Sequence, residues 1–365
     1  MCTSPLYRCS SWLVELRGCR DFPDNLSRKF ANKKNPIIGR ADYLDYINRY
    51  KLPESAFQQI PCGQCLDCRL QHSKEWAVRC MLESKYHSPN WFVTLTYDEF
   101  SLPRKEFICA ENGLYMQVPY LVKSDVQKFL KRLRKRLYGS HKGELRYFLC
   151  GEYGDATYRP HYHLILYGLP LNDLVLYKSS GHGAQTIFYY NSKFLSDVWG
   201  KGFVVIAAVN QQSCAYTARY ALKKVDFMHS KDYVKEQLKR FDPQLHGVNK
   251  LMDWLVCSEY IPKPFALMSR NPGLAREFFD EKCGIIYKYD SIPGMPLSHL
   301  KYYDRLYDKL SDFTHRELED IKFKRQERAE AKREQSRIMT GLTKEEYDKL
   351  SLLGSKKTRY KRDKV

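Results

Sequence analysis

RPHYHLILY, residues 159–167, is the most informative stretch of the chain for the fold. It is rich in apolar and aromatic residues after its proline, which predicts a β-strand. Side chains alternate between the two faces of a strand, so His161 and His163 share one face and Tyr162 points to the other. Two neighbouring imidazoles can hold one divalent metal ion. The stretch therefore predicts a strand that contributes two ligands to a metal site.

The elements around this strand predict an α+β core. Their order is strand, helix, strand, strand, helix, strand, helix, at residues 91–97, 124–137, 145–150, 161–168, 192–199, 203–207 and 213–224. The first six follow the split βαβ order of a ferredoxin-like antiparallel sheet. We expect the helices to cover one face of this sheet and to leave the face with the two histidines open.

Glu152 is the predicted third metal ligand. It lies nine residues before His161, at the far end of the preceding strand, and a hairpin would bring it back beside the histidines. A carboxylate completes the ligand set that a hard divalent cation prefers, here Mg²⁺ or Mn²⁺. Such a site leaves positions for phosphate oxygens and water, which favours chemistry on a phosphate.

Two tyrosines are the candidate nucleophiles. Tyr216 and Tyr220 are four residues apart in a helical stretch, so their phenols share one face. A metal site followed by paired tyrosines indicates phosphoryl transfer in which a tyrosine becomes covalently attached to nucleic acid. Lys223 is predicted to steady charge near the metal. The residues predicted to contact DNA are Lys224, Arg219 and Arg159.

Each of these features alone has an ordinary explanation. A His-x-His pair in a strand is often packed rather than metal-binding, and the chain has 28 tyrosines, most of which are expected in cores or on surfaces. The combination favours the functional interpretation, because ligand pair, upstream carboxylate and basic tyrosine helix occur in order within one predicted core.

Composition favours a polyanionic partner. Lys+Arg 61 against Asp+Glu 42 gives a net charge of +19, and aromatic residues make up 14% of the chain. Positive charge with many aromatic side chains suits single-stranded nucleic acid, where phosphates are neutralised and bases stack. The sequence has no apolar run of membrane-spanning length, and its start lacks the pattern of a signal peptide. We therefore expect an intracellular protein without a membrane partner.

A cysteine cluster predicts a structural zinc site. Cys62, Cys65 and Cys68 recur every three residues in a chain of 12 cysteines. A tetrahedral site needs a fourth ligand, for which Cys2 is the first choice, followed by Cys9 or Cys80. The alternative is three thiols without a metal.

Four regions are predicted. Residues 1–88 form an N-terminal segment, irregular to about residue 60, which carries the cysteine cluster. Residues 89–226 form the core, residues 227–310 an extension packed on it, and residues 311–365 charged helices with a basic tail.

Several motifs in order resemble those of the HUH endonucleases, named for two histidines around a bulky residue, here His161-Tyr162-His163. The chain is most similar to replication initiators of small single-stranded DNA phages of the Microviridae, especially the gokushovirus type. The shared motifs are PCGQC with Cys68-Arg69, FVTLTY at 92–97, GEYG at 151–154, RPHYH at 159–163 and YTARYALKK at 216–224.

The resemblance implies an HUH nuclease core that nicks the viral strand at the origin and rejoins it during rolling-circle replication. By that analogy Tyr216 or Tyr220 keeps the 5′ phosphate, while the freed 3′ hydroxyl primes synthesis. It further implies work in the host bacterial cytoplasm on single-stranded or supercoiled viral origin DNA, with a host helicase and DNA polymerase as partners. The chain has no Walker loop, so no nucleotide cofactor is expected.

Two alternatives remain open from the sequence. One is a plasmid relaxase or transposase with the same HUH chemistry. The other is a non-catalytic, zinc-stabilised protein that binds single-stranded nucleic acid, in which the histidines only pack.

Overall fold

A computed structural model describes most of the chain in two compact units. The described residues are 6–9, 37–53, 56–63, 65–108, 115–137, 145–154, 159–183, 186–220, 262, 264–343 and 346–347. The first unit comprises residues 1–72 with 319–365, and the second comprises residues 73–318. The four regions predicted from sequence stay a prediction.

The first unit contains a small antiparallel sheet. Its strands are β1 (Leu6–Cys9), β2 (Ile37–Ile38) and β3 (Phe57–Ile60), in the order β2-β1-β3. Helix α1 (Arg40–Asn48) contributes the buried Tyr46, which packs with Cys9 and Phe57. We expected irregular structure here, and that was wrong for the described part, because strands of two to four residues are too short to show a period of two.

The second unit is built on a seven-stranded antiparallel sheet in the order β12-β7-β8-β4-β11-β10-β9. Its strands are β4 (Asn90–Thr96), β7 (Arg146–Tyr153), β8 (Pro160–Tyr167), β9 (Leu174–Ser180), β10 (Ile187–Ser192), β11 (Val204–Ala208) and β12 (Phe265–Met268). A separate two-stranded sheet pairs β5 (Arg104–Ile108) with β6 (Tyr115–Pro119).

Seven further helices complete the described elements. They are α2 (Leu66–Glu83), α3 (Lys123–Arg136), α4 (Lys193–Trp199), α5 (Gln211–Tyr220), α6 (Arg276–Tyr289), α7 (Lys301–Tyr307) and α8 (Asp312–Thr340). None of the helices in the described part of the chain is both long and apolar enough to cross a membrane.

The predicted α+β class and antiparallel sheet are confirmed. The sequence order β4-α3-β7-β8-α4-β11-α5 is the expected one, with the β9–β10 hairpin inserted before α4. In the sheet, the second and third of the four predicted strands, β7 and β8, lie on one side of the first, and the fourth, β11, lies on its other side. The region after residue 225 adds β12 to the edge beside β7.

One face of the sheet carries the main core. The amphipathic helix α3 buries Val126, Phe129 and Leu133 there, and Trp199 of α4 packs on the same cluster. Burial of such a stripe of apolar side chains is the main force that holds helix and sheet together.

The opposite face, which we expected to be open, is partly covered. Phe148 and Ile165 lie on the same face as His163, and they pack against Cys80 of α2 and Cys214 of α5. Trp76 of α2 stacks on Phe148 with ring centroids 5.1 Å apart. The expectation was wrong because apolar side chains occupy both faces of the β7–β8 half of the sheet, and each face needs a partner.

Candidate metal and tyrosine site

Strand pairing brings the predicted ligands together. In the β7–β8 pair Glu152 lies opposite His161, as the hairpin argument required. In the β8–β4 pair Thr94 lies opposite His163. Residues opposite each other in neighbouring strands point to the same face, so the carboxylate, both imidazoles and the Thr94 hydroxyl share one side of the sheet.

The ligand atoms converge on one small volume. The Nε2 atoms of His161 and His163 each lie 3.0 Å from Oε1 of Glu152, and the ligand atoms of all three residues lie within 4.8 Å of one another. The Glu152 side chain is 2% exposed, whereas His161 is 17% exposed. The cluster is thus buried below and reachable by solvent from the His161 side.

The outer nitrogen of each imidazole has its own partner. Nδ1 of His161 lies 3.1 Å from the carbonyl oxygen of Arg159, which can only accept a hydrogen bond. Nδ1 of His163 lies 3.0 Å from Oγ1 of Thr94. Partners at Nδ1 leave the Nε2 lone pairs directed towards the shared centre, which is the arrangement of metal-binding histidines. Thr94 was missed from sequence because its role depends on the strand that lies beside it.

The residues present fit a divalent cation. Oε2 of Glu152 is buried and has no hydrogen-bond partner among the described residues, which is costly unless a ligand satisfies it. Burial lowers the pKa of His163 below its ordinary value, so its imidazole is neutral and able to donate a lone pair at neutral pH. Two neutral imidazoles and one carboxylate are a common set for such metals.

Tyr216 lies beside this cluster on α5. Its ring centroid is 5.0 Å from that of His163, and the two rings are nearly perpendicular. Phe92 stacks on His163 at 5.4 Å and meets Tyr216 edge-on at 6.2 Å. Tyr216 is 36% exposed, so its ring is packed on one side and open to solvent on the other. Phe92 was not singled out from sequence, and it holds the ligand ring and the tyrosine ring together.

The other predicted residues of the helix are placed only in part. Tyr220 is the last residue of α5, one turn beyond Tyr216, and its side chain lies outside the described residues. Lys223 and Lys224 also lie outside them. Arg219 is exposed on α5.

Arg159 is anchored just before β8. Its Nη1 lies 2.7 Å from Oε2 of Glu99, and its Nη2 donates to the carbonyl of Tyr97 at 3.0 Å. The side chain is still 38% exposed. Because Arg159 also supplies the carbonyl that orients His161, its guanidinium lies at the rim of the metal cluster.

Tyr162, between the two histidines, points to the opposite face as predicted. Its hydroxyl lies 2.8 Å from that of Tyr97 and bonds the backbone N–H and C=O of Val122. Burial raises the pKa of Tyr162 to about 12, so this phenol stays neutral. Tyr162 therefore anchors the histidine strand to the start of α3.

Comparison with known proteins places this core in a family. The family model of the phage replication-associated protein ORF2 matches residues 90–225. Replication-associated protein ORF2 of Spiroplasma virus 4 is 33% identical over 72% of this chain and 68% of its own length. The chain belongs to this family of phage replication-associated proteins. Replication-associated protein VP4 of Bdellovibrio phage phiMH2K is 31% identical over 52% of the chain and 56% of its own length. Replication-associated protein ORF4 of Chlamydia phage 1 is 30% identical over 61% of the chain and 59% of its own length. No solved structure was found to match.

The matched region of this replication-associated protein contains Glu152, both histidines and both tyrosines. The cysteine cluster lies before it. Sγ of Cys62 is 4.0 Å from Sγ of Cys68, and the backbone N–H of Cys65 donates to Sγ of Cys62 at 3.2 Å. All three sulfur atoms lie within 4.8 Å of one another. Gly63 adopts φ +75°, a left-handed conformation that favours glycine and tightens the loop.

The candidates for a fourth ligand differ in position. Cys9 is buried in the core of the first unit, and Cys80 is buried under the large sheet of the second. Neither belongs to the cluster of sulfur atoms described here. Cys2 lies outside the described residues.

Proposed function

We propose that this replication-associated protein is a replication initiator that nicks and rejoins the viral DNA strand at its origin. The observation that carries the proposal is the packing of Tyr216 against His163 in a Glu-His-His cluster able to hold a metal. The strand order around β4 supports an HUH core of ferredoxin-like type. Membership of the phage replication family supplies the biological setting.

The chemistry proposed is transfer of a phosphodiester to tyrosine. The Tyr216 phenol oxygen attacks the scissile phosphorus, and its proton passes to water. The bond from phosphorus to the 3′ oxygen breaks, and that oxygen takes up a proton and leaves as a 3′ hydroxyl. The 5′ phosphate remains on tyrosine. One phosphodiester is exchanged for another, so the reverse step can rejoin the strand.

The residues of the cluster have separate tasks in this scheme. Glu152, His161 and His163 hold Mg²⁺ or Mn²⁺, which when bound polarises the phosphate and neutralises charge in the transition state. A free phenol has a pKa of about 10 and is a weak nucleophile, so geometry must compensate. The Phe92 and His163 rings fix the position of Tyr216 against the cluster.

Rolling-circle replication needs two cuts for each circle. In this proposal Tyr220, one helical turn from Tyr216, cuts the regenerated origin while the first strand end is still held. Lys223 steadies charge near the metal, and Lys224, Arg219 and Arg159 contact DNA. A host helicase and polymerase in the bacterial cytoplasm then use the freed 3′ hydroxyl.

The decisive experiment is a covalent adduct assay. The protein is mixed with single-stranded origin DNA and Mn²⁺, denatured, and run on a gel that separates protein–DNA adduct from free DNA. We expect adduct from the native protein, less from Tyr216→Phe or Tyr220→Phe, and none from the double variant. Tyr289→Phe, a change at an exposed tyrosine on α6, is the matched control and should leave adduct formation intact.

A metal-ligand variant separates chemistry from DNA binding. His163→Ala should lose metal-dependent adduct formation while DNA binding persists. Adduct at native levels from the double tyrosine variant would refute the nucleophile assignment. Absence of adduct from the native protein, with tight DNA binding, would favour the non-catalytic binding protein instead.

We further propose that Cys62, Cys65 and Cys68 bind a structural zinc ion with Cys2. The N–H···S bond from Cys65 to Cys62 supports this, because such bonds stabilise thiolate charge in tight metal loops. Leu6 at the start of β1 lies opposite Ile60 at the end of β3, so the N-terminal end of β1 faces the strand end that leads to Cys62.

Zinc content tests this second proposal. Metal analysis after gel filtration should find zinc in the native protein and little in Cys65→Ser or Cys2→Ser. Cys283→Ser, which changes a part-buried thiol on α6, is the control and should keep its zinc. Equal zinc in Cys2→Ser and native protein would remove Cys2 from the site, and no zinc in the native protein would leave three plain thiols.

A further inference from the structure

The sheet face with the metal cluster continues beyond β4 towards the β9 edge. Thr96 lies opposite His161 in the β4–β8 pair. Thr96 and Phe203 exchange backbone hydrogen bonds at 3.0 and 3.1 Å, so they are opposite each other in the next pair. The Phe203 side chain therefore lies on the same face as His161, two strands away, or about 10 Å at the usual spacing of strands.

A second row on this face leads from the tyrosine site to the edge. Phe92, which stacks on His163, lies opposite Ala207 of β11. Ala207 lies opposite Tyr189 of β10, and Tyr189 lies opposite Lys178 of β9. Register thus places an aromatic ring and an amine in line with the residues that pack around the candidate nucleophile.

This part of the face is open to solvent. Phe203 is 68% exposed, and Val175 of β9, opposite Asn191, is 67% exposed. The residues that alternate with them and point to the other face, such as Leu95 and Ile206, are fully buried. An exposed aromatic surface that continues from a reaction centre is more often a binding surface than an accident.

The charge of the surface suits a polyanion. Nζ of Lys178 lies 5.2 Å from the centre of the Tyr189 ring and 5.7 Å from that of Tyr177. The sequence contains no aspartate or glutamate between residues 174 and 196. The surface therefore offers aromatic rings and an amine without a carboxylate on its own strands to repel phosphate.

We propose that single-stranded DNA next to the cut site lies across this face, with bases stacked on Phe203 and Tyr189 and a phosphate near Lys178. Aromatic rings beside an amine are the elements of sequence-tolerant binding of single strands, because every base has a face to stack. This inference rests on the proposed function, since that function defines the strand presented to the metal cluster. A protein partner seated on β9 is the competing occupant, and the test separates the two.

The test measures binding without cutting. Fluorescence anisotropy of a fluorescein-labelled oligothymidylate is recorded with the full chain in EDTA, so that no metal-dependent step takes place. We expect Phe203→Ala and Tyr189→Ala each to weaken binding by about 5- to 100-fold, the loss typical of one stacked base. Phe203→Tyr, which keeps a ring at that position, should bind within about twofold of the native protein.

Phe188→Ala is the matched control. Phe188 is the neighbour of Tyr189 on the same strand, is 48% exposed, and points to the opposite face. It should bind DNA as the native protein does. Lys178→Ala should lower the dependence of log affinity on log salt concentration by ~0.7, as for the loss of one phosphate contact to a single strand.

Each result bears on the inference. Native affinity in Phe203→Ala and Tyr189→Ala, or an equal loss in Phe188→Ala, would overturn it. A change in oligomeric state of the variants by sedimentation, with unchanged DNA affinity, would also overturn it and identify a protein contact. If the native protein forms no adduct but these variants lose affinity, the nicking proposal fails while this surface stands.

Discussion

At the level of single residues, the metal cluster depends on the groups behind its ligands. His163 is held by Thr94 at Nδ1, by Phe92 against one ring face and by Tyr216 at its edge. A ligand that cannot rotate loses little entropy when it binds a metal, and a hydrogen bond at Nδ1 selects the tautomer with a free Nε2. The sequence motif FVTLTY therefore carries a function besides strand formation.

We predict that Thr94→Val weakens Mn²⁺ binding by about 10- to 100-fold while the fold is kept, because valine has the same shape but no hydroxyl. Isothermal titration calorimetry with Mn²⁺ measures this. Thr94→Ser should retain most of the affinity. Thr96→Val, which changes the next threonine on the same face, is the control, since the Thr96 hydroxyl contacts the carbonyl of Phe203 and no histidine. Unchanged affinity in Thr94→Val would show that the hydroxyl does not orient the ring.

At the level of strands and helices, the junction of β4 and β11 joins the metal cluster to the open sheet face. Asp98 donates its backbone N–H to the carbonyl of Lys201, and Trp199 donates its indole N–H to the carbonyl of Thr96. Gly202 lies between these contacts with φ +140°. A Cβ at this position would clash with the backbone nitrogen of Asp98, so the close approach of the two chain segments requires glycine.

Gly202→Ala should therefore lower the free energy of unfolding by roughly 1–3 kcal/mol or more, from backbone strain and the clash together. Urea denaturation followed by tryptophan fluorescence provides the measurement. Gly284→Ala in helix α6 is the matched control, because a Cβ there meets nothing within 4 Å and alanine favours the helix by about 0.5–1 kcal/mol. Equal stability of the two variants would contradict the role given to Gly202.

Across the whole second unit, a buried ion pair connects segments distant in sequence. Glu83 of α2 pairs with Arg146 of β7 and accepts the backbone N–H of Ala275 at 2.6 Å. Arg146 also donates to the carbonyl of Pro272 at 2.7 Å. The Glu83 side chain is only 3% exposed. Burial raises the pKa of Glu83, but hydrogen bonds from His87, Ala275 and Arg146 outweigh it and hold the pKa below the ordinary value.

Removal of one partner leaves the other buried and uncompensated. We predict that Glu83→Ala costs about 3–5 kcal/mol of stability, whereas Glu83→Leu combined with Arg146→Met costs less than the two single changes added together. Because the native state holds the carboxylate ionised, its contribution is present above pH 4.5 and is lost as the pH falls through the lowered pKa. Urea titrations at several pH values measure this, and a gap between Glu83→Ala and native protein that widens on acidification would refute it.

Local sequence was enough to specify the individual elements and the chemistry they carry. The alternation around His161 and His163, the hairpin from Glu152 and the helix with Tyr216 and Tyr220 follow from periods of two and 3.6 residues, and the structure has each of them. These features depend on neighbours within about ten positions, so a single chain is enough to infer them.

The neighbours of these elements were fixed instead by long-range packing. Thr94 faces His163 from a strand 69 positions away, β12 joins the sheet from beyond residue 260, and helices α2 and α5 cover part of a face that we expected to be open. Such contacts are set by which apolar faces must be buried together, and that competition involves the whole chain rather than any one stretch.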